Sequence, residues 1–132
     1  MSTPIEQLYI FEGFSQSEIA YFLLMTQMQT KKKWEIVIRE GDPSNGCAYY
    51  VSSGHVKVTK GENEIAVLGP GAFFGEIALI TDELRTATVE AIDEVELQVF
   101  LKEDFFILLK RSEHSKDLKE TIMKRIQENV KH

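Results

Sequence analysis

One cysteine, Cys47, occurs in the 132 residues, so no disulfide can close within the chain, and a reducing compartment suits it. Positive charge is also short, with 15 Lys and Arg against 21 Asp and Glu, a net charge of −6. That balance opposes nonspecific nucleic-acid binding, which needs a basic face, and its long-range field repels any anionic ligand. The one basic run, Lys31-Lys32-Lys33, reads as a solvated face, with contact to a partner or membrane surface as the lesser alternative. No apolar stretch is long enough to span a bilayer: Ile19 to Met28 is short and broken by Tyr21, Thr26 and Gln27. The start, Met1-Ser2-Thr3-Pro4-Ile5-Glu6, lacks the basic region and apolar core of a secretion signal, so a cytoplasmic protein is expected. Histidine is scarce too. His55, His114 and His132 lie apart with no Cys/His ligand spacing for zinc, and no Gly-x-Ser-x-Gly motif marks a nucleophile. The acid pairs Glu62/Glu64 and Asp93/Glu94 fall at expected turns and read as solvated. The chain is therefore not expected to be an enzyme or to carry a metal or cofactor.

What is present is an ordinary globular composition, 43% hydrophobic and 27% charged, enough for one domain over residues 1–132. Ser15-Gln16-Ser17-Glu18 has capping-box spacing, and Phe14 and Ile19 stand where a hydrophobic staple places its partners. A helix from about Gln16 to Gln27 follows, with a weaker helical segment from Ile5 to Ile10, so residues 5–28 are read as helical. Trp34 to Ile38 and Val56 to Thr59 alternate apolar and polar residues, as half-buried strands do. Thr86 to Ile92 and Glu96 to Phe100 continue the pattern. Gly41-Asp42-Pro43, Asn45-Gly46, Ser53-Gly54, Gly61-Glu62-Asn63 and Gly69-Pro70-Gly71 punctuate it. Short strands with frequent turns over residues 31–101 predict a sandwich or barrel. Residues 103–130 change character. Asp104 to Lys110 predicts a mostly buried helix, and Glu113 to Asn129 a second, with Leu118, Ile122, Ile126 and Val130 on one stripe.

One segment carries chemistry. Gly71-Ala72-Phe73-Phe74-Gly75-Glu76-Ile77-Ala78-Leu79-Ile80 leads a glycine turn into a short apolar helix, and Arg85 returns just before Thr86-Ala87-Thr88-Val89. A helix start presents unpaired N–H groups and the positive end of its dipole, and a guanidinium adds a planar fork of donors. Glu76 cannot contact a phosphate favourably, but it can accept a hydrogen bond from a sugar hydroxyl. Phosphate plus ribose points to a nucleotide.

These residues resemble the phosphate-binding cassette of cyclic nucleotide-binding domains, found in cyclic-AMP-dependent kinase regulatory subunits, cyclic-nucleotide-gated channels and catabolite activator proteins. Glu40-Gly41-Asp42-Pro43, Tyr49 to Val58 and Leu68-Gly69-Pro70-Gly71 agree, and the resemblance runs from about Phe14 to Asn129. It implies a mainly β fold: a jelly-roll-type β-roll with flanking N-terminal and C-terminal helices. It implies that Phe74, Gly75, Glu76, Ile77, Ala78, Arg85, Thr86 and Ala87 form the ligand cassette. Arg85 would pair with the cyclic phosphate, and Glu76 would bind the ribose 2′-hydroxyl. Gly75 would let the backbone approach the sugar, and the N–H groups of Ala78 and Thr86 would complete the phosphate shell. Val58 and Leu68 would wall the base, with Met123 or Ile126 as its lid. Some have a plainer alternative: Arg85 as a surface residue paired with Asp82 or Glu83, Glu76 as a helix-start acid, Val58 and Leu68 as ordinary core, and Met123 or Ile126 as simple helix packing. Thr86 admits cyclic GMP without deciding for it.

The expected function is a noncatalytic sensor that binds a cyclic nucleoside monophosphate, cyclic AMP before cyclic GMP, and signals through its C-terminal helices. The partner would be a protein effector or a second copy through the last helix, without nucleic acid or a membrane span. The alternative is an interaction or scaffold module of the same fold that no longer responds to nucleotide. A jelly-roll metal oxygenase would need a histidine-rich inner face that this chain lacks.

Overall fold

In the computed structural model, which describes residues 3–111 and 115–129, two four-stranded antiparallel sheets face each other, with helices against one of them. The strands are β1 (Gln27–Lys31), β2 (Ile36–Ile38), β3 (Cys47–Ser53), β4 (Val56–Lys60), β5 (Asn63–Leu68), β6 (Phe73–Phe74), β7 (Thr88–Ala91) and β8 (Val95–Leu101). One sheet runs β1-β8-β3-β6 and the other β2-β7-β4-β5. The chain repeatedly crosses between them, so the fold is mainly β with flanking helices, as expected.

Three helices cover the first sheet: α1 (Gln16–Met25), α2 (Lys102–Arg111) and α3 (Ser115–Asn129). α1 begins as its sequence indicates. The Glu18 N–H donates to Ser15 Oγ at 3.1 Å, and the Ser15 N–H donates to Glu18 Oε1 at 2.9 Å. Phe14 and Ile19 are both buried beside this start. The weaker segment before it forms two 3₁₀ turns, Ile5–Gln7 and Tyr9–Phe11. Among the described residues, no helix is long and apolar enough to cross a membrane.

β3 shows how one strand serves two cores, since successive side chains point to opposite faces. Ala48 joins Phe11, Phe22, Phe100, Phe105 and Ile126 under the helices. Tyr49 and Val51 join Val56, Val58, Phe74, Val89 and Leu97 between the sheets. In the first core the Phe22 and Phe100 rings meet edge to face, their centroids 5.2 Å apart. Burying each such ring contributes about 1.5–3 kcal/mol.

Four expectations change. The first helix stops at Met25, and the roll starts at Gln27 rather than at residue 31. Thr26 is extended, its hydroxyl donating to Leu23 O at 2.6 Å and accepting from Gln98 Nε2 at 2.6 Å. β1 then pairs with β8, Gln27 opposite Val99. Its side chains Gln27 to Thr30 are exposed, so no apolar alternation announces it. Trp34 is no strand residue: its φ of 74° turns the chain, and β2 begins only at Ile36. Glu64 lies in β5, opposite Thr59, rather than at a turn. Asp93 is engaged rather than merely solvated: its carboxylate accepts the His55 N–H at 2.6 Å and meets Nδ1 at 2.8 Å.

α2 starts at Lys102, two residues before the expected Asp104, and buries Phe105, Leu108 and Leu109. Of the stripe proposed for the last helix, Ile126 is fully buried. Val130 and the side chains of Leu118 and Ile122 lie outside the described residues.

Candidate functional site

The cassette hangs between the two sheets. β6 delivers Gly75, a four-residue 3₁₀ helix runs Glu76–Leu79, and a loop leads through Arg85 into β7. Gly75 caps that helix with φ 73°, a left-handed conformation that side chains with a Cβ adopt at a cost. A Cβ there would also meet Ile38 Cδ1 at 3.1 Å and Arg85 Nη1 at 3.4 Å. Glycine is required here on both counts.

Arg85 is 7% exposed, the one buried charged residue among those described. Nη2 donates to Asn45 Oδ1 at 2.7 Å and to the Cys47 carbonyl at 2.8 Å, and Nη1 to the Gly75 carbonyl at 3.3 Å. Its own backbone is pinned as well, N–H to Asp42 O at 2.9 Å and carbonyl from the Gly41 N–H at 2.8 Å. Every side-chain acceptor is neutral. No carboxylate among the described residues forms an ion pair with it. The alternative of a surface arginine paired with Asp82 or Glu83 therefore falls, and Asp82 instead holds Lys102 Nζ at 2.7 Å. Burial pulls the guanidinium below its usual pKa, while Tyr49 and Cys47 beside it push the other way.

Beside Arg85 lies a cavity of about 30 Å³ walled by Ile38, Val58, Phe74, Gly75, Ile77, Arg85, Thr86, Ala87 and Val89. That space admits a water or two, not a nucleotide. The Thr86 N–H has no partner among the described residues, whereas the Ala78 N–H donates to Gly75 O at 3.2 Å within the 3₁₀ turn.

Glu76 does not line this cavity. Its Oε2 accepts the Tyr9 hydroxyl at 3.0 Å, across the cassette on the helical side. Burial pushes the Glu76 carboxyl above its ordinary pKa, and its backbone N–H and the Tyr9 hydroxyl hold it down in part. The Tyr9 phenol is raised strongly, by burial first and by the Glu76 charge and hydrogen bond next.

The structure thus brings Phe74, Gly75, Ile77, Arg85, Thr86, Ala87 and Val58 to one cavity. Ala78 is buried behind it. Leu68 sits opposite Val56 and packs against the core between the sheets, off the cavity wall. Met123 is half-buried and Ile126 is packed in the helix core, so neither reaches the cavity. Asn45 and Tyr9 were missed by sequence reasoning. Asn45 sits in an Asn-Gly pair that reads as a turn, and Tyr9 lies 67 positions from Glu76 with no local signal.

Comparison with known proteins identifies the family. Residues 28–112, more than half of the chain, match the family model of the cyclic nucleotide-binding domain. The cyclic AMP receptor protein of Thermus thermophilus is 29% identical over 77% of this chain and 49% of its own length. A cAMP-dependent protein kinase regulatory subunit of Hypocrea atroviridis is 37% identical over 80% of this chain and 22% of its own. Among solved structures, the N-terminal domain of a transcriptional regulator from Streptomyces coelicolor superposes with a TM-score of 0.76 at 27% identity, covering 90% of this chain and 87% of that one. The chain spans half or less of the length of the two sequence relatives. It belongs to the cyclic nucleotide-binding domain family.

Proposed function

We propose that this member of the cyclic nucleotide-binding domain family is a noncatalytic sensor for a cyclic nucleoside monophosphate, cyclic AMP before cyclic GMP, that signals through its C-terminal helices. The observation that carries the reading is Arg85: a buried guanidinium held by three neutral acceptors and, among the described residues, no carboxylate. A buried cation without a counter-ion is costly, and an anionic ligand relieves that cost. A cyclic phosphate entering beside Gly75 would meet Arg85 and the Thr86 N–H, with the Ala78 N–H turning to it from Gly75. Val58 supplies an apolar wall for the base. Relatives named for cyclic AMP, a receptor protein and a kinase regulatory subunit, support cyclic AMP as the first ligand, and a cGMP-dependent protein kinase among them supports cyclic GMP as the second.

Signalling follows from where α3 packs, on the Tyr9–Phe11 turn and on the cassette helix itself. A ligand that opens the cavity must displace elements that α3 touches. It can bias the position of α3 only by its differential affinity for the two arrangements. Met123 or Ile126 would cap the base only after such a move, and α3 is then the surface for a protein effector or a second copy.

The alternative of a nucleotide-unresponsive module draws on the small cavity, about 30 Å³ as it stands. A thermal-shift series with cyclic AMP, cyclic GMP, AMP and no ligand separates the two readings, since a ligand that binds only the folded state raises its melting temperature. The sensor reading expects a rise for the cyclic nucleotides, largest for cyclic AMP. A flat series would leave the scaffold reading standing.

A further inference from the structure

We propose that Tyr9 is a positioning residue that holds the sugar-binding carboxylate of Glu76 out of the cavity, so that a ribose 2′-hydroxyl must compete with the Tyr9 phenol. The inference rests on the reading of the cassette as a cyclic nucleotide site and names how that site is regulated.

The geometry sets the competition. Gly75 and Ile77 both line the cavity, and Glu76 between them does not. On a 3₁₀ helix successive residues are turned by a third of a revolution, so Glu76 projects to another side from its neighbours. There Oε2 takes the Tyr9 hydroxyl at 3.0 Å. Tyr9 is itself well fixed. Its turn buries Ile10 and Phe11, and its ring meets Phe73 edge to face at 6.3 Å between centroids. A carboxylate has acceptor sites to spare, so it is its position off the cavity wall, held by this bond, that sets the phenol against a sugar in the cavity.

The release has somewhere to go. Glu12 closes the Tyr9–Phe11 turn with its N–H on Tyr9 O at 3.3 Å. Arg125 of α3 donates to the Glu12 carbonyl at 3.3 Å and pairs with its carboxylate at 3.3 Å. Glu76, Tyr9, Glu12 and Arg125 therefore form one contiguous chain of contacts from the cassette helix to the last helix. A 2′-deoxy ligand can use Arg85 but has nothing to offer Glu76, and so leaves the Tyr9 contact in place.

The test is titration calorimetry of the full chain and of Tyr9→Phe with cyclic AMP and with 2′-deoxy cyclic AMP. Losing a hydrogen bond to a charged group should make cyclic AMP bind about tenfold more tightly to Tyr9→Phe, while the deoxy ligand binds both proteins alike. A wild-type protein that binds neither ligand beside a Tyr9→Phe variant that binds cyclic AMP would support the proposal more strongly still. Equal effects on both ligands, weaker cyclic AMP binding, or no effect at all would overturn it while leaving the nucleotide site intact. If both proteins bind neither ligand, the reading of the site fails and the competition falls with it. Glu76→Ala keeps the test clean against misfolding, because it removes the acceptor that the phenol and the ribose would share. In that background Tyr9→Phe should no longer change cyclic AMP affinity, and any change that persists is structural and counts against the proposal.

Discussion

The two charged residues of the cassette are held in opposite ways. Arg85 is gripped by three neutral acceptors from the Asn45–Cys47 turn and Gly75, and its backbone is pinned to Gly41 and Asp42. Among the described residues Glu76 has one side-chain hydrogen-bond partner, the Tyr9 hydroxyl, and stands off the cavity wall. Under the proposed reading, the arginine already stands at the cavity wall, whereas the glutamate has to be brought to it. A preorganised donor contributes to affinity without a reorganisation cost, whereas a group that must exchange partners contributes less to affinity and more to coupling. The difference suggests a division of labour: Arg85 captures the ligand, and Glu76 reports that it has arrived.

The largest effect should come from the captured side. Arg85→Ala removes a charge-assisted contact of about 1.5–3 kcal/mol, a loss of roughly ten- to hundredfold in cyclic AMP affinity by calorimetry. Lysine should rescue only part of it, because a point charge cannot make two parallel contacts with a phosphate. Equal affinity in wild type and Arg85→Ala would end the assignment, and with it the contrast between the two sides. A smaller loss should follow from loosening the grip itself. Asn45→Ala deletes the 2.7 Å acceptor on Nη2 but leaves the Cys47 carbonyl at 2.8 Å. Losing one such bond costs about 0.5–1.5 kcal/mol, so affinity should fall by roughly two- to tenfold while the ribose preference stays unchanged. A changed preference for cyclic AMP over its 2′-deoxy analogue would show that the two sides are not independent.

How legible these features were depends on how local their causes are. The Ser15–Glu18 capping box is written in four consecutive residues and forms as read. The Gly75-Glu76 and Arg85 motif is likewise confined to one short stretch, and the cavity gathers most of it. The boundary at Thr26 was hidden because Gln98, distant in sequence, helps to hold the turn there, and because exposed β1 shows no alternation. Trp34 looked like the first residue of a strand, since aromatic residues favour strands. Its N–H bond to Ala91 O at 2.7 Å, a contact with β7, fixes a turn instead. Tyr9 and Asn45 carry no motif of their own. Each acquires its role only when the topology sets it against Glu76 or Arg85.

The smallest expected effect concerns acid, and it sharpens the contrast most finely. Burial raises the Glu76 carboxyl above its ordinary pKa, with Tyr9 as its one side-chain hydrogen-bond partner among the described residues. A carboxylate raised in the folded state favours its protonated form there. Its contribution to stability is therefore fully present below the unfolded pKa and is lost as the pH rises through the folded value. Binding runs the other way, because a protonated Glu76 is a poorer acceptor for a ribose hydroxyl. As the pH falls through the raised pKa, the preference for cyclic AMP over the 2′-deoxy analogue should shrink, while the melting temperature gains relative to that of Glu76→Gln. Arg85 stays charged throughout, so affinity for the deoxy ligand should hold. Tyr9→Phe removes a hydrogen bond that lowers the Glu76 pKa, so in that variant the preference should fade at a higher pH than in wild type. A preference that fades at the same pH in both proteins would mean that the phenol and the carboxylate do not share a proton-linked contact in solution.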